Sequence, residues 1–385
     1  MTVDLHAITM PKWGLAMDEG MVVDWHVEEG ARLGIGDEVV DIETTKITNA
    51  LESPAGGILC RRLVAEGETV PVGALLGVIA AGAAEAAEIA AGTAEIDAFI
   101  ARFEAAFAVA AAEAATETAS APEIVEAAGW RLNYQRAGEG AGGSETAPMV
   151  LVHGFGGDLD NWMFNRPALA AGRRVCALDL PGHGGSSKDV GDGSLDTLTD
   201  VLAGFMSALG IERAHLVGHS LGGAVALACA LARPRTVASL SLLASAGLGR
   251  EINAGYIDGF VAAERRKDMK PVLQELFADP ALVSRQLVDD VLKAKRIDGA
   301  SEALAALAAK QFPGGAQGPS LAERGGELAM PLQVIWGAAD RIIPPDHAGN
   351  LAGAKVTILD GVGHMPHMEA AATVNGLILD LIDAA

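Results

Sequence analysis

The chain has 385 residues, more than one ordinary domain of roughly 100–200 residues holds, so two domains are expected. Half of it is apolar, which is enough for a buried core and excludes wholesale disorder. With 50 acidic and 28 basic side chains its formal charge is −22, which argues against binding a nucleic-acid backbone or an anionic membrane surface.

Cys60, Cys176 and Cys229 are widely spaced and form no CxxC pair. Buried, reduced thiols are therefore expected in place of a disulfide framework or a thiolate zinc site. The opening MTVDLHAITMPKW has no basic segment followed by an apolar run, so no secretory signal is read. No stretch approaches ~20 consecutive uncharged apolar residues, so no membrane span is read either. The expectation is a cytoplasmic protein with no membrane and no nucleic-acid partner.

Residues 1–80 contain an internal repeat. A shift of 37 places sets Gly20 on Gly57, Val22 on Leu59, Val27 on Val64, Glu29–Gly30 on Glu66–Gly67, Gly36 on Gly73 and Ile42 on Ile79. Both halves read as short β-branched strands punctuated by glycine turns. Each half is expected to form a small antiparallel sheet, the two facing each other as a flattened all-β barrel. Glu43-Thr44-Thr45-Lys46-Ile47 joins the halves, so Lys46 is expected to project from a hairpin.

Residues 81–121 form a second segment, in which 20 of 41 residues are alanine. That composition reads as a linker. Within it Ile96, Phe99, Ile100, Phe103 and Phe107 fall on one face of a short amphipathic helix, with Thr93 as its cap. Such a helix either docks on its own neighbouring domain or serves as a partner site.

From residue 122 apolar runs alternate with helical stretches. PMVLVHG, RRVCALDLPG, AHLVGHS, VASLSLLAS, LQVIWG and KVTILDG are continuous apolar strands, and helices are read at 195–209, 221–232 and 368–383. Buried strands separated by helices predict a parallel sheet covered on both faces. Residues 247–329 interrupt the rhythm as a helical insertion, read as a lid.

The chemistry-bearing motif is Gly218-His219-Ser220-Leu221-Gly222, a G-x-S-x-G sequence between a strand and an alanine-rich helix. A sharp turn there exposes the Ser220 oxygen. His153-Gly154-Phe155-Gly156-Gly157 follows another strand, which offers the backbone N–H groups of Phe155 and Leu221 as an oxyanion site. Asp340 and His364 each follow a later strand, giving the order Ser, Asp, His. His183, His219, His347 and His367 are read as structural. No HExxH or clustered carboxylates point to a catalytic metal.

A lysine on a turn between two quasi-repeats, with Met10-Pro11-Lys12 and Gly14-Leu15 near the start, resembles the lipoyl domain of 2-oxo acid dehydrogenase complexes. Biotin carriers flank their lysine with methionines, unlike Thr45 and Ile47, and Thr45 stands where lipoyl domains often have Asp. The second half resembles an α/β-hydrolase fold with a helical lid. The combination of lipoyl domain (1–80), linker (81–121) and hydrolase-like domain (122–385) resembles the acetyltransferase component of bacterial acetoin dehydrogenase complexes. The H-x-x-x-D-G motif of most dihydrolipoamide acyltransferases is missing from this sequence.

That resemblance implies a lipoyl group amide-linked to Lys46 and coenzyme A as the acyl acceptor. It also implies Ser220, His364 and Asp340 as a nucleophilic unit, thiamine-dependent acetoin dehydrogenase subunits and dihydrolipoamide dehydrogenase as partners, and a homo-oligomer. A serine hydrolase of small esters, thioesters or C–C bonds, and a non-catalytic lipoyl carrier, remain as other readings. Two basic clusters, Arg265-Arg266-Lys267 and Lys293 with Lys295 and Arg296, are read either as a solvated face or as a seat for coenzyme A phosphates.

Overall fold

The computed structural model describes residues 4–11, 19–44, 48–81, 93–116, 121–138 and 147–383, with the side chains of the 93–116 helix described as far as Glu104. Lys46, its neighbours Thr45 and Ile47, the Lys12-Gly14-Leu15 stretch and the Phe107 side chain lie outside the described residues. The chain divides into two compact units, Met1–Ala115 and Thr116–Ala385.

The first unit contains β1 (Asp4–Thr9), β2 (Glu19–Trp25), β3 (Arg32–Leu33), β4 (Glu38–Glu43), β5 (Thr48–Glu52), β6 (Gly57–Arg62), β7 (Thr69–Pro71) and β8 (Leu75–Ala81). They form two four-stranded sheets, in the orders β1-β8-β6-β3 and β5-β4-β2-β7. The expectation of one sheet per half is therefore corrected, because every sheet takes two strands from each half. The repeat relates β2 to β6 and β4 to β8, strands of opposite sheets. Sequence likeness here marks equivalent strands and not hydrogen-bonded neighbours.

The physical reason is burial. Neither half alone covers its apolar face, whereas interleaving packs Val22, Trp25, Val40 and Ile42 against Leu59, Leu76 and Ile79 in one core. The repeated glycines keep equivalent turns: Gly30 and Gly67 have φ of 91° and 83°, and Gly36 and Gly73 have 85° and 86°. Strands β4 and β5 pair antiparallel as far as Glu43 with Thr48. Four residues, 44–47, connect that last pair.

The alanine-rich segment supplies a helix, Thr93–Thr116, that belongs to the first unit. Ile96 is 1% exposed and packs with Ile58, Cys60 and Ala80, flanked by Leu5 and Ile100. Of the two readings of this helix, the structure displays the one in which it docks on its own neighbour.

The second unit is built on β9 (Glu123–Ala127), β10 (Trp130–Ala137), β11 (Met149–Val152), β12 (Val175–Leu178), β13 (Ala214–His219), β14 (Val237–Leu243), β15 (Leu332–Gly337) and β16 (Lys355–Leu359). Their order is β16-β15-β14-β13-β11-β12-β10-β9. The six strands β11–β16 run parallel. The continuous apolar runs of β11–β15 follow from two covered faces, whereas the edge strand β16 leaves Val356 and Ile358 exposed. Val150 and Val152 pack with the helices Leu195–Ala208 and Leu221–Ala232, while Met149 and Leu151 pack with Trp162 and the helix Ala371–Asp383.

An antiparallel edge hairpin, β9–β10, precedes the parallel strands and was not read from the sequence. Its two-residue turn places Ala128 at φ 51° and Gly129 at φ 89°, a geometry usually signalled by Asn-Gly. Between β14 and β15 lies the helical insertion, with helices Ala254–Ala262, Arg266–Gln274, Arg285–Lys295 and Ala300–Gln311. Among the described residues no helix is long and apolar enough to cross a membrane.

Candidate active site

Strand β13 ends at His219 and the next helix begins at Leu221, so Ser220 alone makes the turn, at φ 50° and ψ −118°. Such backbone costs on the order of 1–3 kcal/mol and persists only when its surroundings hold it. Here the Ser220 N–H donates to Leu243 O at 3.0 Å, and its carbonyl accepts from Ala246 at 2.9 Å and Gly223 at 3.0 Å. The flanking glycines are required by contact. A Cβ at 222 would run into the carbonyl oxygens of Val152 and His153, and one at 218 would strike the Gly222 carbonyl.

Asp340 and His364, 24 residues apart, are brought together: His364 Nδ1–H donates to Asp340 Oδ2 at 2.8 Å. Both side chains are buried. Asp340 Oδ2 also accepts from Trp336 Nε1 at 2.9 Å, and Oδ1 accepts from the N–H groups of Ile342 at 2.8 Å and Ile343 at 3.0 Å. Four donors fix the carboxylate, and the carboxylate fixes the imidazole with Nε2 free to act. Ser220 and His364 line one cavity. Among the described residues no hydrogen bond joins Ser220 Oγ to His364 Nε2, a contact that in ligand-free sites often closes only on substrate.

Among the described residues the N–H groups of Phe155 and Leu221 find no backbone acceptor, while the amides of Gly156 and Gly157 are occupied. Gly156 N–H donates to His183 Nε2 at 3.1 Å, and Gly157 N–H to Gly154 O at 3.1 Å. His183 in turn donates Nδ1–H to Pro181 O at 3.0 Å, so it ties the 154–157 loop to its own. Burial pushes its pKa down to about 3, which keeps the ring neutral and Nε2 an acceptor. His153 is arranged likewise, accepting from Leu180 N–H at 3.0 Å and held neutral by burial.

Two further histidines back the site. His219 donates Nε2–H to the main-chain oxygen of His364 at 2.8 Å and stacks on its ring at 4.9 Å. His367 lies between His219 and Trp162, 4.5 Å from each, with both ring nitrogens buried and unpartnered. Burial lowers its pKa to about 3. Glu369 binds the loop itself, accepting from Gly363 N–H at 2.9 Å and from Ala278 N–H at 2.8 Å. Sequence reading missed Trp336 and Glu369. Trp336 was detectable in principle as the indole of the WGAAD run, four residues before the carboxylate.

The cavity keeps about 60 Å³ open to water-sized groups and is walled mainly by Phe155 and Met368, with the helical insertion contributing Phe260, Leu276, Leu287, Val291 and Phe312. Three of the six cations in the two basic clusters are engaged within the unit. Arg265 pairs with Asp268 at 2.8 Å, and Arg266 forms a two-pronged pair with Asp289. Lys295 is buried and donates to the carbonyls of Phe260, Val261 and Ala263, capping the helix Ala254–Ala262.

Comparison with known proteins agrees with this anatomy. The alpha/beta hydrolase fold family matches residues 147–371, and the family described as biotin-requiring enzyme matches residues 6–79. A dihydrolipoyllysine-residue acetyltransferase component of an acetoin cleaving system from Pseudomonas putida is 49% identical, over 97% of this chain and 98% of that protein. The corresponding component from Cupriavidus necator is 44% identical, over 96% of both chains. A 2-hydroxy-6-oxononadienedioate/2-hydroxy-6-oxononatrienedioate hydrolase from Paraburkholderia xenovorans is 33% identical, over 66% of this chain and 90% of that one. Among solved structures, a meta-cleavage product hydrolase from Pseudomonas fluorescens superposes with a TM-score of 0.62 at 26% identity, covering 68% of this chain and 97% of that chain. With relatives this similar along nearly its whole length, the chain belongs to the family of acetyltransferase components of acetoin cleaving systems, a lipoyl-type domain joined to an α/β-hydrolase fold.

Proposed function

We propose that this chain transfers an acetyl group from a lipoyl arm on Lys46 to coenzyme A, as the acetyltransferase component of an acetoin cleaving system. The reading is carried by the union, in one chain, of a lipoyl-type domain with a Ser220–His364–Asp340 site, in a family whose named members have that activity. The first unit fits the group, because β4 and β5 pair up to Glu43 and Thr48 and leave a four-residue connection containing Lys46. When attached, the lipoyl group supplies the acyl as a thioester on a long, mobile tether.

The chain's own residues perform the transfer. Ser220 Oγ attacks the acyl carbon while His364 Nε2 takes its proton, so an O–C bond forms. The C–S bond then breaks, and the departing sulfur receives that proton from His364. Coenzyme A reverses the sequence: its thiol gives a proton to His364, its sulfur bonds the acyl carbon, and Ser220 leaves with the proton restored. Asp340 holds the imidazole in the required tautomer and stabilises the imidazolium between steps. The Phe155 and Leu221 N–H groups stabilise the developing oxyanion, each at about 3–4 kcal/mol in comparable sites. An apolar cavity poor in water favours thiol attack over hydrolysis.

The partners on this reading are thiamine-dependent acetoin dehydrogenase subunits, which load the arm, and a dihydrolipoamide dehydrogenase, which reoxidises it. The assembly is a homo-oligomer in the cytoplasm. The likeness of the second unit to a 2-hydroxy-6-oxononadienedioate/2-hydroxy-6-oxononatrienedioate hydrolase favours a second reading, a serine hydrolase carrying a lipoyl tether. The deciding experiment supplies acetyl-dihydrolipoamide with and without coenzyme A. Acetyl-CoA formed much faster than acetate, and lost in Ser220→Ala, supports the transferase. Acetate formed at the same rate with or without coenzyme A supports the hydrolase.

A further inference from the structure

Acetyl has one methyl group, yet the cavity above Ser220 keeps about 60 Å³ open to the centres of water-sized groups, room for roughly four to six of them at ~10–15 Å³ each. Its lining is apolar, and among the described residues no Asp, Glu, Lys or Arg faces it. Of the polar side chains that face it, Ser220, His219, His364 and Asn161 gather with the loop of Gly154 and Phe155, and Tyr256 faces it from the helix Ala254–Ala262. Phe155 joins the two regions. Its amide is the proposed oxyanion donor, and its ring meets Phe260 at 5.7 Å and Phe312 at 5.8 Å, both edge-on, in the cavity wall. An acyl carbonyl at the Phe155 amide therefore has its chain against hydrocarbon.

Resting on the proposed Ser220 chemistry, we infer that this site accepts uncharged acyl groups beyond acetyl, of about four to six carbons, straight or branched, and discriminates against acyl groups bearing a carboxylate. Each methylene that leaves water for such a wall raises the specificity constant about fourfold. A second carboxylate, as in a succinyl group, enters a wall without a cation and meets a desolvation penalty. The reaction balances as before: Ser220 Oγ bonds the acyl carbon, the leaving group departs with the proton held by His364, and a thiol or water then releases the acyl group.

The test uses the full chain and p-nitrophenyl esters of acetate, butyrate, hexanoate and octanoate, whose leaving group carries no lipoyl chain. The expected result is a kcat/KM rising at least tenfold from acetate to hexanoate. Filling the cavity from the insertion by Val291→Trp, or more mildly by Leu287→Phe, should cut the hexanoate-to-acetate ratio tenfold or more. The ratio reports the wall independently of any loss of total activity. A profile that is flat or highest at acetate, with Ser220→Ala inactive, overturns this inference alone. Full turnover by Ser220→Ala overturns the Ser220 reading and the inference together. A ratio unchanged in both filling variants shows that the acyl chain lies elsewhere, and also overturns the inference.

Discussion

The Nε2–H of His219 reaches the main-chain oxygen of His364 at 2.8 Å, joining the residue before the candidate nucleophile to the residue proposed as its base. The end of β13 and the loop after β16 are thereby locked together by a side chain that touches neither reacting atom. His219→Phe keeps an aromatic ring against His364 and His367 but leaves the His364 carbonyl without its donor. A buried carbonyl left unsatisfied costs about 1–3 kcal/mol. Part of that cost appears as displacement of the imidazole, so kcat should fall roughly 5- to 30-fold with KM little changed. Steady-state kinetics on the neutral ester checks it, and a change confined to KM would contradict the positioning role.

Asp340 accepts four hydrogen bonds, two of them on Oδ2 from Trp336 Nε1 and His364 Nδ1. Asp340→Asn must present either an N–H₂ to those two ring donors or an amide nitrogen to the backbone donors of Ile342 and Ile343. The imidazole is left in the wrong tautomer or rotated. A loss on the order of 10³–10⁴ in kcat is expected, as for other such triads, with the fold retained. Circular dichroism alongside the kinetics separates this from unfolding, and a loss below tenfold would remove Asp340 from the unit.

His183 and His367 are buried as neutral rings with pKa values near 3, below the usual 6.5 of an unfolded chain. Between those values the unfolded state binds more protons than the folded one, so stability falls as pH drops from 6.5 toward 3. For one such ring the loss is about 2 kcal/mol between pH 6.5 and pH 5. His367→Phe removes two unpartnered buried nitrogens while keeping a ring between Trp162 and His219. The variant should match or exceed the parent at pH 7 and lose less stability at pH 5. Melting curves at the two pH values decide it; an equal loss in both proteins would assign the acid sensitivity elsewhere.

The parallel sheet and the residues at its strand ends were legible because both depend on local signals. Continuous apolar runs mark strands covered on two faces, and Ser220 and Asp340 each follow such a run, while His364 follows the β-branched but exposed edge strand β16. The division of β1–β8 between two sheets was not legible, since the repeat encodes equivalent strands but not their pairing. The edge hairpin was hidden by Ala128, a residue that rarely takes positive φ. The basic clusters show what a count of charge along the sequence omits. Charge counted along the sequence does not show that Arg266 is paired with Asp289 or that Lys295 is turned inward onto three carbonyls.

The helix Thr93–Thr116 rests on the first unit through Ile96, which covers Ile58, Cys60 and Ala80. Cys60 is a free thiol, and burial pushes its pKa up, so it is shielded both sterically and as the protonated form. Ile96→Asp places a charge where 1% of the side chain was exposed, and a carboxylate cannot stay there unpaired. The helix should lift from the sheet and uncover Cys60, whose alkylation should accelerate at least tenfold. Cys176 and Cys229, buried in the second unit, supply internal controls that should not change. Phe99→Ser with Phe103→Ser separates this docking from a partner role, since those rings are half-buried and stack 6.4 Å apart on the same helix. Peptide mass spectrometry after maleimide treatment reads the first variant, and light scattering reads the second. Faster Cys60 labelling in Ile96→Asp with unchanged assembly in the double variant assigns the helix to its own domain. Unchanged labelling with lost assembly would assign it to a partner.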